Sequence, residues 1–529
     1  MDPVIAIFVI LGLAVVAFVS GKVPLAIVAI GVTLALWVTG IQTLPEAFAG
    51  FGDPTVIFIA SLFVISEGLD STGVTAWAGQ QVITRGGSHP RRLLVIVGAM
   101  SAVLTGFISI NGAVAALLPV VVVVAVRAGI VPSKMLIPLA FTASAGSLLT
   151  LTGTPVNPVV SQLAESAGGR PFGFFEFALA GVPLVALTIG VVALLGPRLL
   201  PERTADRFEA APDPRAAAQG WRESYDVDLS TGSLFSPTDG VVEVLVAPRS
   251  RLIGRTVWRG MTTADEDLVI LAARRGDAEP PRVSRDGAVG EVTLQAGDAV
   301  LVQGPWAALE RYTRSPDVIA VTAPQAFRRT VPLGRGARRA LVILLLMVVL
   351  LATNIVPPAV AGLLAAGAMI LTRVMTMTQA YRAISWTTVI LIAGMVPLSA
   401  AFVDTGAADV VAELVLGLTG QASPHLALLV LCLVTIVLGQ FISNVATVLI
   451  VAPIAVSIAA TLDLSVQPFM MALTVAGAAS FFTPIATPVN LMVMHPGGYR
   501  FGDYWRLGLP LALVFLAVAV LYVPLIWPF

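Results

Sequence analysis

Residues 441–453 read FISNVATVLIVAP, and residues 107–119 read FISINGAVAALLP. Both open on Phe-Ile-Ser, close on Pro and lie in apolar surroundings, offset by 334. A polar, Pro-interrupted segment that occurs twice in apolar sequence raises the question of what solvent this chain folds in. Composition answers it. Of 529 residues, 57% are hydrophobic and 12% charged, whereas a soluble domain carries ~25% charged residues. Apolar runs of ~17–25 residues, enough to cross a ~30 Å hydrocarbon core, recur along most of the chain. The chain reads as an all-α polytopic membrane protein, with the lipid bilayer as its surroundings. The first run, residues 3–20, follows Asp2 rather than a basic stretch and has no small-residue cleavage site, so it reads as a retained helix. The one cysteine, Cys432, sits in an apolar run and excludes a disulfide framework or a thiolate cluster. The net charge of zero names no partner, and nucleic acid is not expected.

Charge divides the chain in three. Residues 1–198 and 339–529 are apolar with short loops, and 199–338 is ordinary polar sequence. The middle part opens on a Pro/Ala/charge-rich linker and continues with strand-like runs at 241–247, 267–273, 291–295 and 299–304, then a short helix at 305–312. It reads as a small α+β domain inserted between two membrane halves.

The halves are copies. At an offset of 333, Val23-Pro24 matches Val356-Pro357, Thr55-Val56-Ile57 matches Thr388-Val389-Ile390, and Thr72-Gly73 matches Thr405-Gly406. Most specific is Thr154-Pro155-Val156-Asn157 against Thr487-Pro488-Val489-Asn490. Each half reads as five spans: near 4–20, 23–40, 55–72, 135–165 and 178–197, then 340–353, 358–372, 386–402, 469–495 and 508–526. The segments 92–126 and 425–458, which carry the opening motif, suit two short legs each. Arg85, Arg91 and Arg92 precede the first, and Arg127 and Lys134 follow it, so both its ends read as cytoplasmic and the segment as a re-entrant hairpin. No Lys or Arg lies between Arg382 and Arg500, as befits a second hairpin on the outer side. Five spans per half is odd, so the copies are predicted to be inverted: ten spans, two hairpins, both termini outside and the inserted domain in the cytoplasm. Trp37, Trp386, Trp505 and Trp527 fall near span ends, where interfacial indoles are common.

Non-helical backbone at membrane depth survives only where protein buries it or it lines a water-filled cavity. Inverted repeats with interrupted helices hold substrate and coupling ion between the copies. Here the hairpin tips offer Ser109, Asn111, Ser443, Asn444 and Thr447, and the breaks at Gly153-Thr154-Pro155 and Ala486-Thr487-Pro488 expose carbonyls and helix N-termini. A helix N-terminus favours an anion; carbonyls freed by an unwound turn suit a small hard cation. One Ser in an apolar run packs helices, but four matched motifs call for more.

These residues resemble the divalent anion:sodium symporters, carriers of sulfate and of di- and tricarboxylates. The resemblance covers both membrane halves and includes the late stretch TPIATPVNLMVMHPGGYRFGDYWRLGLPL at 483–511. It implies elevator-type alternating access in a homodimer, with residues 92–165 and 425–495 moving against a frame. It implies no cofactor beyond sodium as coupling ion. A first sodium site would use Thr105, Ser109, Asn157 and the carbonyl of Gly153; a second would use Asn444, Asn490 and backbone at Ile442 and Ala486. The anion would meet Ser109, Asn111, Thr154, Asn444 and Thr487, with Pro155 and Pro488 shaping the pocket. The insert resembles a TrkA-C domain, a ligand-sensing module, and implies a small ligand as a further partner. The family's Ser-Asn-Thr stands here as Ser109-Ile110-Asn111 and Ser443-Asn444-Val445, so sodium is expected to depend mainly on the second site.

The choice among sulfate, dicarboxylate and citrate stays open. So does proton coupling through Glu67 or Asp70, near the inner end of the third span; Asp404 lies near the outer end of that span's repeat mate, and in the bland reading these acids are solvated caps. His495 reads as structural. A potassium channel is set aside for want of a TVGYG-type filter. An enzyme or ATP-driven pump is set aside for want of a P-loop, a His-Glu-x-x-His or a Gly-x-Ser-x-Gly motif. A sodium/proton antiporter or an arsenite efflux protein shares the architecture and remains an alternative. The expected location is the cytoplasmic membrane of a prokaryote.

Overall fold

Proline and small hydroxyl residues set the helix starts. Pro54, Pro90, Pro358 and Pro424 stand in the first turns of helices, where a missing N–H costs nothing. Ser109, Ser443, Ser465 and Thr487 cap others by accepting a backbone N–H from the first turn. The computed structural model describes residues 2–20, 22–74, 77, 89–203, 221, 225, 239–263, 268–275, 291–321, 336–407, 409–411, 413, 417 and 423–529.

The longer membrane-half helices of the first copy are α1 (Pro3–Ser20), α2 (Leu25–Val38), α3 (Pro54–Ser71), α4 (Pro90–Phe107), α5 (Ile110–Arg127), α6 (Leu136–Gly146), α7 (Val156–Ser166) and α8 (Ala178–Leu199). Those of the second are α9 (Ala337–Thr353), α10 (Pro358–Leu371), α11 (Trp386–Asp404), α12 (Pro424–Leu438), α13 (Asn444–Thr461), α14 (Val466–Gly477), α15 (Pro488–Met494) and α16 (Tyr504–Ala517). Each of α1–α8 thus has a mate eight labels on. Left-handed backbone recurs at the offset of 333, in Gly40 with Arg373 and Gly73 with Gly406, and one residue further on in Gly129 with Asp463. Among the described residues, seven helical stretches are long and apolar enough to cross a membrane. The expected spans at 135–165 and 469–495 are each two helices with irregular backbone between them. Helices α2 and α10, at 14 residues each, fall short of the ~20 that a perpendicular crossing needs.

Two expectations change. Pro119 and Pro453 do not break their segments; both lie inside continuous helices of 18 residues. A proline costs a helix about 3 kcal/mol, and close neighbours in a bundle offset this by satisfying the freed carbonyl. The interruptions fall earlier, at Ile108-Ser109 and at Gly439–Ser443, so the hairpin legs are longer than the sequence suggests.

The helices pack in two groups. In one, α2 lies on α11 and α3 on α10, pairs that are mates of one another, with α1 against α2. Small residues allow the approach: a Cβ at Gly394 would stand 2.7 Å from the Ala29 carbonyl oxygen. The other group holds α4–α8 and α12–α16, centred on α6 and α14. Every residue of α6 and α14 is buried, as expected of helices apolar all round. Phe481 bridges the copies there, meeting Phe141 at 4.7 Å and Phe515 at 5.0 Å between ring centroids.

The chain divides into two units, the larger Met1–Ser71, Ala78–Phe208 and Arg339–Phe529, the smaller Thr72–Trp77 with Glu209–Arg338. In the smaller, β1 (Asp239–Val246), β3 (Val269–Arg274), β5 (Ala299–Pro305) and β6 (Val318–Ala320) form an antiparallel sheet in the order β3-β5-β1-β6. The short strands β2 (Thr256–Val257) and β4 (Val292–Thr293) pair separately. Val241, Leu301 and Leu309 are completely buried in its core, and the Trp306 ring fills the space left by the missing side chain of Gly240. Strands β2 and β6, two and three residues long, are too brief to read as periodic runs.

Just before α8, Glu176 gathers Arg170 at 2.5 Å, the Trp527 indole N–H at 2.7 Å and the Gly173 N–H at 2.9 Å. Burial alone pushes the Glu176 pKa up, but these donors outweigh it and hold it below the ordinary 4.5. A depressed carboxylate stabilises the fold above its unfolded pKa, and that contribution fades as pH falls through the folded value. Glu176→Gln should therefore lower the melting temperature at pH 7, and the gap from wild type should close below about pH 4.5. Thermal unfolding of the detergent-solubilised protein across pH checks this.

Candidate substrate and ion site

Each interrupted helix is held open by an asparagine. Between α6 and α7 the backbone runs irregularly from Ser147 to Pro155, and the buried Asn157 Nδ2 donates to the carbonyls of Ser147 at 3.0 Å and Thr150 at 2.7 Å. Between α14 and α15, Asn490 Nδ2 donates to the carbonyls of Ser480 at 2.9 Å and Thr483 at 3.0 Å. The wiring is the same, 333 residues on. It answers the need of every buried carbonyl freed from a helix for a donor. Thr150 and Thr483 then tie each break to its hairpin, their hydroxyls donating to the carbonyls of Gly106 and Gln440.

The tips are alike but not identical. Ser109 caps α5 by accepting the Gly112 N–H at 3.2 Å, and Ser443 caps α13 by accepting the Ala446 N–H at 3.3 Å. In the second tip the Asn444 side-chain oxygen accepts from Ser480 Oγ at 2.7 Å, which turns its NH2 the other way. Gln440 braces the second break, accepting the Phe482 N–H at 2.9 Å and donating to the Ala479 carbonyl at 3.3 Å. Its mate, Gly106, has no side chain to do this. The first tip leans instead on α3: the Ser109 N–H donates to Ser66 Oγ at 3.0 Å, and a Cβ at Gly112 would stand 3.3 Å from the Asp70 carboxylate.

Tips and breaks converge on one cavity of ≈ 390 Å³. Ser109, Asn111, Thr154, Pro155, Asn444, Thr487 and Pro488 all line it, as do Gly153 and Ala486. Among the described residues lining it there is no Asp, Glu, Lys, Arg or His. The opening residues of α5, α7, α13 and α15 all face it, namely Ile110, Val156, Asn444 and Pro488. Four helix N-termini therefore meet there, each carrying up to about half a positive charge, α15 being the shortest.

Thr105, Asn157, Ile442 and Asn490 are buried and are not among the lining residues. The Thr105 hydroxyl donates to its own helix at Ser101 and Ala102. The Asn157 side-chain oxygen and the Thr447 hydroxyl oxygen are buried without a hydrogen-bond partner among the described residues. Ser66, Ser144, Thr152, Thr387, Thr388 and Thr474 also line the cavity and escaped the sequence reading. Their one signal was polarity within apolar runs, and Thr388 stood in plain view in the repeated Thr-Val-Ile. Asp404 and His495 are exposed.

A cavity without charged lining, edged by hydroxyls and amides at interrupted helices, in a chain whose described residues include seven helical stretches long and apolar enough to cross a membrane, defines a multi-pass membrane transporter. The citrate transporter family profile (CitMHS) matches residues 15–476 and 419–529, and the chain belongs to that family. It is 30% identical to the uncharacterized transporter YfbS of Escherichia coli K12, over 98% of each chain. It is 28% identical to the probable sodium/sulfate cotransporter 3 of Chlamydomonas reinhardtii, over 53% of this chain and 31% of that one. A crystal structure of the Alcanivorax borkumensis YdaH transporter aligns at a TM-score of 0.47 and 16% identity, covering 94% of this chain and 88% of that one.

The first break is the tighter. A Cβ at Gly153 would stand 2.2 Å from the Ser147 carbonyl oxygen, the group that Asn157 holds, whereas the mate position already carries Ala486. Gly153→Ala should cut transport on the order of 10²-fold, the scale of an ångström's displacement in a tuned site. Ala486→Gly should leave it near wild type. Uptake by the two variants reconstituted side by side checks the contrast.

Proposed function

We propose that this protein is a secondary active transporter that carries a small divalent anion, sulfate or a di- or tricarboxylate, coupled to sodium. The observation that carries the reading is the convergence of helix N-termini, hydroxyls and side-chain amides on a cavity without charged side chains. A dianion is held there by dipoles and hydrogen bonds alone, so the cavity suits small dianions of several shapes. The unsatisfied Asn157 oxygen and the carbonyls of the breaks supply what a sodium ion needs. Sodium/sulfate cotransporters among the relatives point the same way.

In this reading the halves are inverted repeats, each with five crossings and a hairpin. Helices α4–α8 and α12–α16 move as the elevator against the frame of α1–α3 and α9–α11, which holds two protomers together as a homodimer. The basic clusters at Arg91, Arg92, Arg127, Arg198, Arg338 and Arg339 support a cytoplasmic position for the smaller unit, read here as a sensor of a small ligand. The central cavity reaches Leu25 and Thr387, at the starts of α2 and α11, and so faces the cytoplasm. A second reading, proton coupling, is favoured by the Asp70 carboxylate beside the first turn of α5.

Uptake of labelled sulfate, succinate and citrate into liposomes tests both. At least one of the three should accumulate with a sodium gradient, and Asn444→Ala should abolish the sodium dependence. Uptake that persists without sodium and collapses with the pH gradient would shift the coupling to Asp70.

A further inference from the structure

The mates of four residues that line the central cavity are themselves gathered elsewhere. Leu25, Thr387, Thr388 and Leu391 line the central cavity. At the offset of 333 their mates are Pro358, Pro54, Thr55 and Phe58, and all four line a second cavity of ≈ 480 Å³ that shares no lining residue with the first. Leu25 and three positions of α11 thus line one cavity, and their four mates line the other.

The packing around the two sets of positions differs. Helix α11 packs along α13, whereas their mates α3 and α5 meet at few points. Helix α3 meets α7 at few points as well. The α3–α7 contact has a polar fastening. Asp53 precedes α3, and its Oδ1 accepts the Thr55 N–H at 2.7 Å while Oδ2 accepts from Gln162 Nε2 on α7. Gln162 also lines the second cavity. The mates of Asp53 and Gln162 are Trp386 and His495, and both are exposed. One pair of equivalent positions is hydrogen-bonded; the other is exposed.

We infer that the second cavity lies on the access path of the opposite side, and that Asp53–Gln162 is a latch that must release before that path opens through to the central cavity. The inference rests on the alternating-access reading, in which the two copies exchange conformations. Opening the second path requires the Asp53–Gln162 hydrogen bond to break, and closing the first brings Trp386 against His495. The frame contributes Asp53 and Trp386, the moving group Gln162 and His495, so each latch spans the surface along which the two groups slide. Asp53 and Gln162 are positioning residues; neither lines the central cavity.

The test needs no identified substrate. Cys432, the one native cysteine, is completely buried, so introduced thiols report alone. In a Thr387→Cys background, Gln162→Ala removes the latch and leaves Asp53 capping α3. Reaction of Cys at 387 with a membrane-impermeant maleimide should slow roughly tenfold, the worth of a hydrogen bond to a charged group. In a Trp386→Cys, His495→Cys protein, a short bis-methanethiosulfonate should join the two positions, and adding Gln162→Ala should raise the yield. Unchanged labelling at 387, or no crosslink between 386 and 495 with or without Gln162, overturns the latch. If labelling and crosslinking both respond while no anion moves, the latch stands and the transport reading falls.

Discussion

The structure depends on a backbone that leaves the helix where no water is at hand to receive it. Between α6 and α7, and again between α14 and α15, carbonyls are cut loose from their helical partners in the most buried part of the molecule. An unsatisfied buried carbonyl costs about 1–3 kcal/mol, so breaks of this length cannot stand by chance. Asn157 and Asn490 are the solution. Each gives both amide hydrogens to two carbonyls of its own break, and the remaining polar groups turn toward one cavity. Helix ends, hydroxyls and carbonyls follow from that geometry, and the binding chemistry follows from them.

The copies share this device and differ in how each is braced. Gln440 and the Ser480–Asn444 hydrogen bond stiffen the second break and tip from within their own half. The first tip has Gly106 and Ile110 at those positions and is steadied by α3, through Ser66 and the neighbouring Asp70.

Much of the site was legible in the sequence because polar residues stand out against apolar runs and because everything was written twice. The hairpin motifs and the Thr-Pro breaks lie where the structure gathers the cavity. Other features were not legible. Pro119 and Pro453 look like breaks, yet both helices run through them, since the packing that tolerates a proline is tertiary. Asn157 and Asn490 resembled ion ligands, and their structural work across 7 and 10 residues of irregular backbone follows no periodicity. Ser66, Asp53 and Gln162 gain meaning only from helices distant in the chain. Thr105, three residues before Ile108, faces Gly146 rather than the cavity, a matter of helix rotation that the apolar run around it hides.

The most direct test of this account is equilibrium binding of a labelled dianion, sulfate or citrate, to the purified protein in saturating sodium. Wild type is compared with Asn157→Ala and Asn490→Ala, each first shown by size-exclusion chromatography to remain folded. If the two asparagines hold the breaks in the form that binds, each substitution should weaken sodium-dependent binding at least tenfold, a loss of about 1.4 kcal/mol. Wild-type affinity in both variants would contradict the account, because the cavity would then owe nothing to the two breaks.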